Sequence, residues 1–265
     1  MRLGIVVVYL VEPENGELLD LHLRKVRSMT RVPYKLYAGI KQLAPPLLQR
    51  LEREPCLEIL PLPETDLRTC AEHSFYLERL IPRAIADGVT HIAIMHSDSF
   101  PVRPDWVETI AAQLTESRVL ATISRDGFLD QPSACLFFRA DFWAESQPRL
   151  RLTNVDCSSP EYACFSRAHP HYAQDSGIGY VFRAYTAGKT FLALEGPSVS
   201  ESRGRFGAVY GDLVFHLAAA YRYGKPKEEE RSAATRTLLG ALVGAKKQLK
   251  RYFPTAIRRR TRRLS

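Results

Sequence analysis

The sequence predicts an α/β fold in which a parallel sheet is flanked by helices, and two observations support this prediction. Continuous apolar runs at residues 3–11 and 89–95 are typical of strands buried on both faces of a sheet. Segments with apolar residues at helical spacing alternate with such runs along the first hundred residues. Strands that alternate with helices pair in parallel through right-handed crossovers.

The individual elements follow from the same patterns. Strands are expected at residues 3–11, 34–40, 57–62, 89–95, 119–124, 134–138 and 191–194. Helices are expected at residues 18–29, 45–53, 77–85, 106–114, 177–188 and 238–249. Residues 145–170 show little periodicity and are expected to form a loop region over a site.

Length and composition fit one large domain. The chain has 265 residues, of which 45% are hydrophobic and 25% charged, close to the averages of globular proteins, so intrinsic disorder is excluded. No repeat or linker interrupts it. We expect one domain at residues 1–245 and a basic tail at residues 246–265.

The net charge of +8 is concentrated in that tail. Residues 246–265 contain nine of the 37 basic residues and no acidic residue, so 28 basic and 29 acidic residues remain and residues 1–245 carry a net charge of −1. A nucleic-acid-binding domain spreads its charge over a folded face, which argues against that class. Cations interspersed with apolar residues favour binding to an anionic membrane surface, and a solubilising tail is the alternative.

Cysteine usage and hydropathy indicate the compartment. Five cysteines at irregular spacing, without a CxxC pair, argue against a disulfide framework or a zinc ribbon and fit a reducing cytosol. The longest apolar run, residues 3–11, is about half the length of a membrane span. A cytoplasmic protein, peripheral at the inner face of the membrane, is therefore expected.

The strongest candidate for a site follows the strand at residues 89–95. Ligands of parallel α/β sheets bind beyond the carboxyl ends of the strands, and His96, Ser97 and Asp98 come there. A carboxylate at this point can bind a divalent cation that bridges a diphosphate. The alternative is a turn or helix-capping aspartate.

The H-S-D triplet and the F-P-V-R-P-D-W segment after it resemble the DxD region of GT-A glycosyltransferases, especially of family 2. The resemblance covers about residues 3–220 and implies a Rossmann-like mixed sheet flanked by helices. It implies that Asp98 binds Mn²⁺ or Mg²⁺ under the diphosphate of a nucleotide sugar. His96 stands where the family usually has aspartate, and it is expected to contact the metal or the ribose.

The segment QDSGIGYVFRAYTAGKTFLALE at residues 174–195 resembles the block that carries the catalytic base of inverting members. The resemblance names Asp175 as the base that deprotonates the acceptor hydroxyl. Gln174 stands where the family commonly has glutamate. The alternative is that Asp175 caps a helix that begins at Ser176.

Further site residues are implied by the same resemblance. His216 matches a late histidine that returns to the metal or diphosphate, the alternative being a buried core histidine. Arg205 lies in a basic loop suited to covering a diphosphate, or in a solvated turn. His73, Tyr9 and Glu12 lie where the family contacts the nucleotide and sugar. The second strand lacks the aspartate that often reads the base.

Two other chemistries compete with this interpretation. Cys157 and Cys164 lie near His169 and His171, as in thiol hydrolases, but no protease signature surrounds them. The same four residues do not have the spacing of a zinc site.

The sequence therefore predicts a metal-dependent, inverting glycosyltransferase of the hexosyltransferase type. It would move a sugar from a nucleoside diphosphate sugar to a hydroxyl of a glycan or a lipid-linked glycan. The alternative is a catalytically weak GT-A-like binding protein that docks on a membrane or polyanion through its tail.

Overall fold

A computed structural model of the chain describes residues 1–10, 16–41, 43–129, 131–170, 172, 174–197 and 207–217. Several predicted features lie outside the described residues: Glu12, His171, Arg205, the helix at 238–249 and the tail at 246–265.

Within the described residues the chain forms ten strands and eight helices. The strands are β1 (Leu3–Tyr9), β2 (Tyr34–Ile40), β3 (Leu57–Pro61), β4 (His91–His96), β5 (Ser99–Pro101), β6 (Arg118–Ser124), β7 (Cys135–Arg139), β8 (Thr190–Glu195), β9 (Ala208–Tyr210) and β10 (Val214–His216). The helices are α1 (Gly16–Met29), α2 (Pro45–Glu52), α3 (Thr69–Ala86), α4 (Trp106–Ala111), α5 (Ala140–Ser146), α6 (Asn154–Cys157), α7 (Pro160–Ala168) and α8 (Ile178–Thr186). A short 3-10 turn, Pro132–Ala134, precedes β7.

The main sheet has seven strands in the order β3-β2-β1-β4-β7-β6-β8. Strand β1 pairs in parallel with β2 and β4, and β6 pairs in parallel with β8. Strands β1 to β4, whose alternation with helices predicted parallel pairing, are parallel, whereas β7 is antiparallel to both of its neighbours. A parallel return requires a crossover of a dozen or more residues, usually a helix, and the described part of the shorter link from β6 to β7 contains only the short 3-10 turn. The mixed α/β sheet is confirmed.

Helices cover both faces of this sheet, and the alternation of side chains in β1 shows how. Ile5 and Val7 belong to a core shared with α1, α2 and α4. Val6 and Val8 belong to a second core shared with α3, α5, α7 and α8. These four β1 side chains are 4% exposed or less. Burial on both faces explains why the strand is continuously apolar instead of alternating with polar residues.

Residues 145–170 differ from the expected loop region, because they contain α6 and α7. Helix α6 is a single turn that begins with a capping box between Thr153 and Asp156. Helix α7 begins with Ser159 as N-cap and Pro160 in its first turn, and it buries Phe165. One buried side chain in nine residues leaves almost no periodicity to detect. The N-cap residues Thr153 and Ser159 were the signal from which these two helices could have been predicted.

A second, three-stranded sheet in the order β5-β10-β9 lies beyond the carboxyl end of β4. Strand β5 begins three residues after β4 ends, and β10 pairs with it in antiparallel register. The Ser97–Asp98 turn therefore joins β4 of the main sheet directly to β5 of the small sheet. This arrangement places the predicted metal-binding aspartate where both sheets meet.

Two further predictions, one about the cysteines and one about membrane-spanning segments, can be compared with the structure. All five cysteines lie in the described part of the chain and are free thiols. Among the helices that the structure describes, none has the length and apolar character needed to span a membrane.

Candidate functional site

Asp98 is the centre of the candidate site. It lies in the turn between β4 and β5 and is 4% exposed. A carboxylate so far removed from water is costly unless charged or hydrogen-bonding groups compensate it. Neighbouring groups must therefore offset the cost of burying the Asp98 carboxylate.

His96 and His216 flank this carboxylate. Nδ1 of His96 and Nε2 of His216 each lie 3.8 Å from Oδ1 of Asp98. His216 reaches this position because β10 pairs with β5, with His216 opposite Ser99, and because the main-chain N–H of Leu217 donates to the carbonyl of Asp98 at 3.0 Å. The structure thus brings His216, which lies far along the chain, to the neighbouring residues His96 and Asp98.

The three side chains fit a divalent metal ion. One ligand atom from each residue lies within 4.8 Å of the others, and no other group of this kind occurs among the described residues. Two atoms bound to one ion lie about 3 to 4.2 Å apart, because each bond is about 2.1 Å long. The two separations of 3.8 Å fall in this range, whereas the 4.8 Å span of the whole group is wider, so binding of one ion by all three residues would require the side chains to move slightly closer together. Two imidazoles and one carboxylate form a ligand set that transition metals accept.

The His96 ring is held on three sides. Its Nε2 atom lies 2.9 Å from Oγ of Ser133, which is fully buried in the 3-10 turn before β7. Its ring meets the rings of His73 and His216 edge to face, with centroids 4.8 and 5.6 Å apart. These contacts leave Nδ1 as the nitrogen that faces Asp98.

His73 connects this cluster to the start of α3. It is 6% exposed, and its Nδ1 lies 3.4 Å from Oγ of Ser176. The Ser176 hydroxyl also bonds Oγ of Ser74 at 2.8 Å and the carbonyl of Cys70 at 3.1 Å. The segment that carries Asp175 is therefore fastened to the first two turns of α3, beside the His96 ring.

Asp175 does not cap α8. The helix begins at Ile178, after Gly177 in the left-handed region with φ +96°, and no side chain caps it. The carboxylate accepts the N–H of Ser176 at 2.6 Å and also contacts the thiol of Cys70. Burial, followed by this hydrogen bond, raises the pKa of Cys70 to about 11, so the thiol stays protonated beside the carboxylate. The alternative that Asp175 caps a helix is therefore wrong. Asp175 itself is partly exposed.

Tyr9 points away from this cluster. Its side chain is fully buried in the core under α1, and its hydroxyl lies 2.9 Å from Nδ1 of His22. Burial raises the pKa of the Tyr9 hydroxyl well above its usual value. Any contact between Tyr9 and a nucleotide would therefore come from its main chain.

The structure adds Ser133 and Ser176 to the residues that the sequence indicated. Ser133 lies in a Q-P-S-A segment, where a serine usually means only a turn. Ser176 follows Asp175 directly, so proximity to the predicted base was the only available signal. Neither position has a periodicity or motif that predicts a contact with a histidine.

The described residues of the cysteine and histidine alternative, which leave out His171, do not form a reactive pair. The ring of His169 packs against Phe165 and Phe191, with centroids 4.9 and 5.7 Å apart. Cys164 is exposed, and its sulfur accepts a hydrogen bond from Arg167. His169 is thus part of an aromatic cluster between α7, α8 and β8.

No protein-family description and no curated protein matches the chain. Solved structures give distant likenesses. A mannosyltransferase, PcManGT from Pyrobaculum calidifontis in complex with GDP-Man and Mn²⁺, is 9% identical with a TM-score of 0.49, over 77% of this chain and 58% of that one. TarS from S. aureus (residues 1–349) is 12% identical with a TM-score of 0.43, over 66% of this chain and 59% of that one.

A third structure is described as a nucleotide-diphospho-sugar transferase from Desulfovibrio desulfuricans G20. It is 13% identical with a TM-score of 0.44, over 74% of this chain and 80% of that one. The chain spans less than two thirds of the first two structures. Two of the three structures are described as sugar transferases.

Proposed function

We propose that this protein is a metal-dependent glycosyltransferase that moves a sugar from a nucleoside diphosphate sugar to a hydroxyl acceptor. The observation that carries the proposal is the buried group of His96, Asp98 and His216 beyond the carboxyl end of β4. Ligands of α/β sheets bind at that edge, and this group supplies two imidazoles and a carboxylate there.

The metal proposed for this site is Mn²⁺. Mg²⁺ binds through oxygen atoms and keeps several waters, whereas this site offers two nitrogens and one carboxylate. When bound, the metal neutralises charge on the diphosphate leaving group. Asp98, in the turn between the sheets, would hold the metal together with His96 and His216. Their burial excludes water that would compete for these positions.

The base proposed for the acceptor is Asp175. Its segment is fastened to α3 through Ser176, close to the His73 and His96 rings. A carboxylate at this place accepts the proton of the acceptor hydroxyl as that oxygen attacks the anomeric carbon. Attack by the acceptor itself gives inversion in one step. His73 is proposed to line the donor pocket beside His96.

The proposed acceptor is a glycan or a lipid-linked glycan, and the tail at residues 246–265 would hold the enzyme at the cytoplasmic face of a membrane. Nine cations in twenty residues attract anionic lipid, with each cation adding about 1 kcal/mol near the surface. Co-sedimentation with vesicles that contain phosphatidylserine tests this step. Binding should weaken with added salt and disappear when residues 246–265 are deleted. Binding that survives the deletion contradicts the proposal.

A thermal-shift screen tests the enzymatic proposal. UDP, GDP, CMP and dTDP are each added with Mn²⁺, with Mg²⁺ or with neither. A ligand that binds only the folded state raises the melting temperature by mass action. A shift that requires both one nucleotide and Mn²⁺ supports the proposal and identifies the donor class. No shift with any combination contradicts it and favours a binding protein without catalytic activity.

A further inference from the structure

Among the described residues, Ser133 makes a side-chain hydrogen bond to a member of the proposed ligand group. Its Oγ atom lies 2.9 Å from Nε2 of His96, and both side chains are buried. The same residue is fixed by its main chain, because its N–H donates to the carbonyl of Ser176 at 3.0 Å. Ser133 therefore has a defined place between His96 and the segment of the proposed base.

The close packing at this point limits how far Ser133 can move. Gly177 adopts φ +96°, and a Cβ atom on Gly177 would lie 2.9 Å from the main-chain nitrogen of Ser133. The hydroxyl of Thr122 holds the turn from the other side by donating to the carbonyl of Pro132 at 3.0 Å. A hydroxyl fixed in this way can set the rotation of a neighbouring ring.

The orientation of the His96 ring determines which nitrogen is available to a metal. With Nε2 bonded to Ser133, Nδ1 is the atom that lies 3.8 Å from Oδ1 of Asp98. A nitrogen that binds a metal must offer its lone pair, so the proton resides on Nε2 and is donated to Oγ of Ser133. Rotation of the His96 ring by half a turn would move Nδ1 away from Asp98 and Nε2 away from Ser133.

We propose that Ser133 is a positioning residue that orients His96 so that its Nδ1 atom binds the metal, and that it thereby gives the site its preference for Mn²⁺ over Mg²⁺. This inference rests on the metal site of the proposed function. Ser133 itself contacts neither metal nor substrate. Hydrogen-bonding partners of metal-binding histidines commonly contribute about 10- to 100-fold to metal affinity.

The test measures the affinity of the full chain for two metals. The signal of free Mn²⁺ in electron paramagnetic resonance falls as the ion binds, and Mg²⁺ affinity follows from competition with Mn²⁺. For Ser133→Ala we expect the Mn²⁺ dissociation constant to rise about 10- to 100-fold. The affinity for Mg²⁺, which depends on the Asp98 oxygen more than on imidazole nitrogen, should change little. Ser133→Cys replaces the hydroxyl by a thiol, which is a weak hydrogen-bonding group, so it should behave in the same way.

Thr30→Val is the control, because it removes a buried hydroxyl that lies just after α1, where it accepts a hydrogen bond from Nε1 of Trp106 and takes no part in holding the Ser133 turn. It should leave both metal affinities unchanged. A double-mutant cycle with His96→Ala supplies the second control. If Ser133 acts through His96, then Ser133→Ala adds no further loss of Mn²⁺ affinity in the His96→Ala background.

Each contrary result has a distinct meaning. Equal losses of Mn²⁺ and Mg²⁺ affinity in Ser133→Ala, or an equal effect of Thr30→Val, would show a merely structural role and overturn the inference. A full additional loss in the His96→Ala background would also overturn it. Unchanged Mn²⁺ affinity in Ser133→Ala and Ser133→Cys would overturn it while leaving the proposed function intact. Absence of Mn²⁺ binding by the unmodified protein would instead overturn the metal site itself.

Discussion

Nε2 of His216 lies 3.8 Å from Oδ1 of Asp98, and the pairing of β10 with β5 sets this distance. The two residues belong to different parts of the fold, since Asp98 follows the fourth strand of the main sheet and His216 ends the small sheet. The contact between Leu217 and the Asp98 carbonyl makes the register specific. A metal ion bound between them would therefore also join the small sheet to the main one.

Asp98→Asn tests the centre of the site. The amide has nearly the same size but no charge, so we expect the fold to persist while Mn²⁺ binding and sugar transfer are lost. Mn²⁺ binding is measured by electron paramagnetic resonance, and transfer by hydrolysis of the donor with and without acceptor. Asp105→Asn is the control, because Asp105 is an exposed carboxylate paired with Arg103 at the surface, where such pairs contribute about 0 to 1 kcal/mol. Transfer at the normal rate by Asp98→Asn would refute the metal assignment.

Asp175→Asn separates donor binding from chemistry. The variant keeps the segment fastened through Ser176, so nucleotide and metal should bind with unchanged affinity. Loss of a general base lowers the transfer rate by about 10²- to 10⁴-fold. Thermal shift with the donor nucleotide measures the first quantity, and single-turnover transfer measures the second. A variant that binds the donor and transfers at the normal rate would show that Asp175 is not the base.

Gly177→Ala tests the close approach between the Asp175 segment and the 3-10 turn. Alanine would have to adopt φ +96° with its Cβ 2.9 Å from the main chain of Ser133. The left-handed conformation alone costs about 1 to 2 kcal/mol for a residue with a Cβ atom. Gly188→Ala isolates that cost, because Gly188 has φ +65° but no atom within 4 Å of its Cβ position.

Urea denaturation of both glycine variants gives the comparison. We expect Gly177→Ala to lose more free energy of unfolding than Gly188→Ala, and to transfer sugar more slowly because the Asp175 segment is displaced. Equal losses of unfolding free energy in the two variants would mean that the turn at Ser133 shifts to accommodate the added methyl group without further loss of stability. The close approach of Gly177 to Ser133 would then not be needed to hold the site together.

The central elements of the fold were predictable because each carries its own local signal. The continuous apolar runs of β1 and β4 and the apolar stripe of α3 indicate burial by themselves. These elements could therefore be predicted without knowing which elements they pack against. The direction of β7 was not predictable in this way, because it depends on the connection and not on the strand itself. Helices α6 and α7 were missed because their N-terminal caps mark them in the sequence, whereas they bury too few side chains to show an apolar stripe.

The candidate site shows the same division. Asp98 was indicated by its position after a buried strand, and Asp175 and His216 by a resemblance of motifs. The contact between His96 and Ser133 joins two turns and depends on the side-chain orientation of both residues. No spacing in the sequence encodes such an orientation. Tyr9 is the opposite case: its position suited a nucleotide contact, but the alternation of β1 directs its side chain into the core toward His22.

His22 should make the stability of the protein depend on pH. Burial on the inner face of α1 lowers the pKa of His22 to about 3, because the charged ring would lose its hydration. In the unfolded chain the pKa is 6.5, so between these values the unfolded state binds one more proton than the folded state. The stability contributed by neutral His22 is therefore fully present above pH 6.5 and is lost as the pH falls.

The expected loss is about 2.5 kcal/mol of unfolding free energy between pH 6 and pH 4, since each unit of pKa difference corresponds to about 1.4 kcal/mol. Urea denaturation at several pH values measures it against His22→Gln, which cannot titrate but can still bond the Tyr9 hydroxyl. The variant should lose about 2.5 kcal/mol less than the unmodified protein over this range. His91→Gln is the control, because His91 is only half-buried and burial lowers its pKa less. Parallel pH profiles for the unmodified protein and His22→Gln would show that His22 takes up a proton in the folded state.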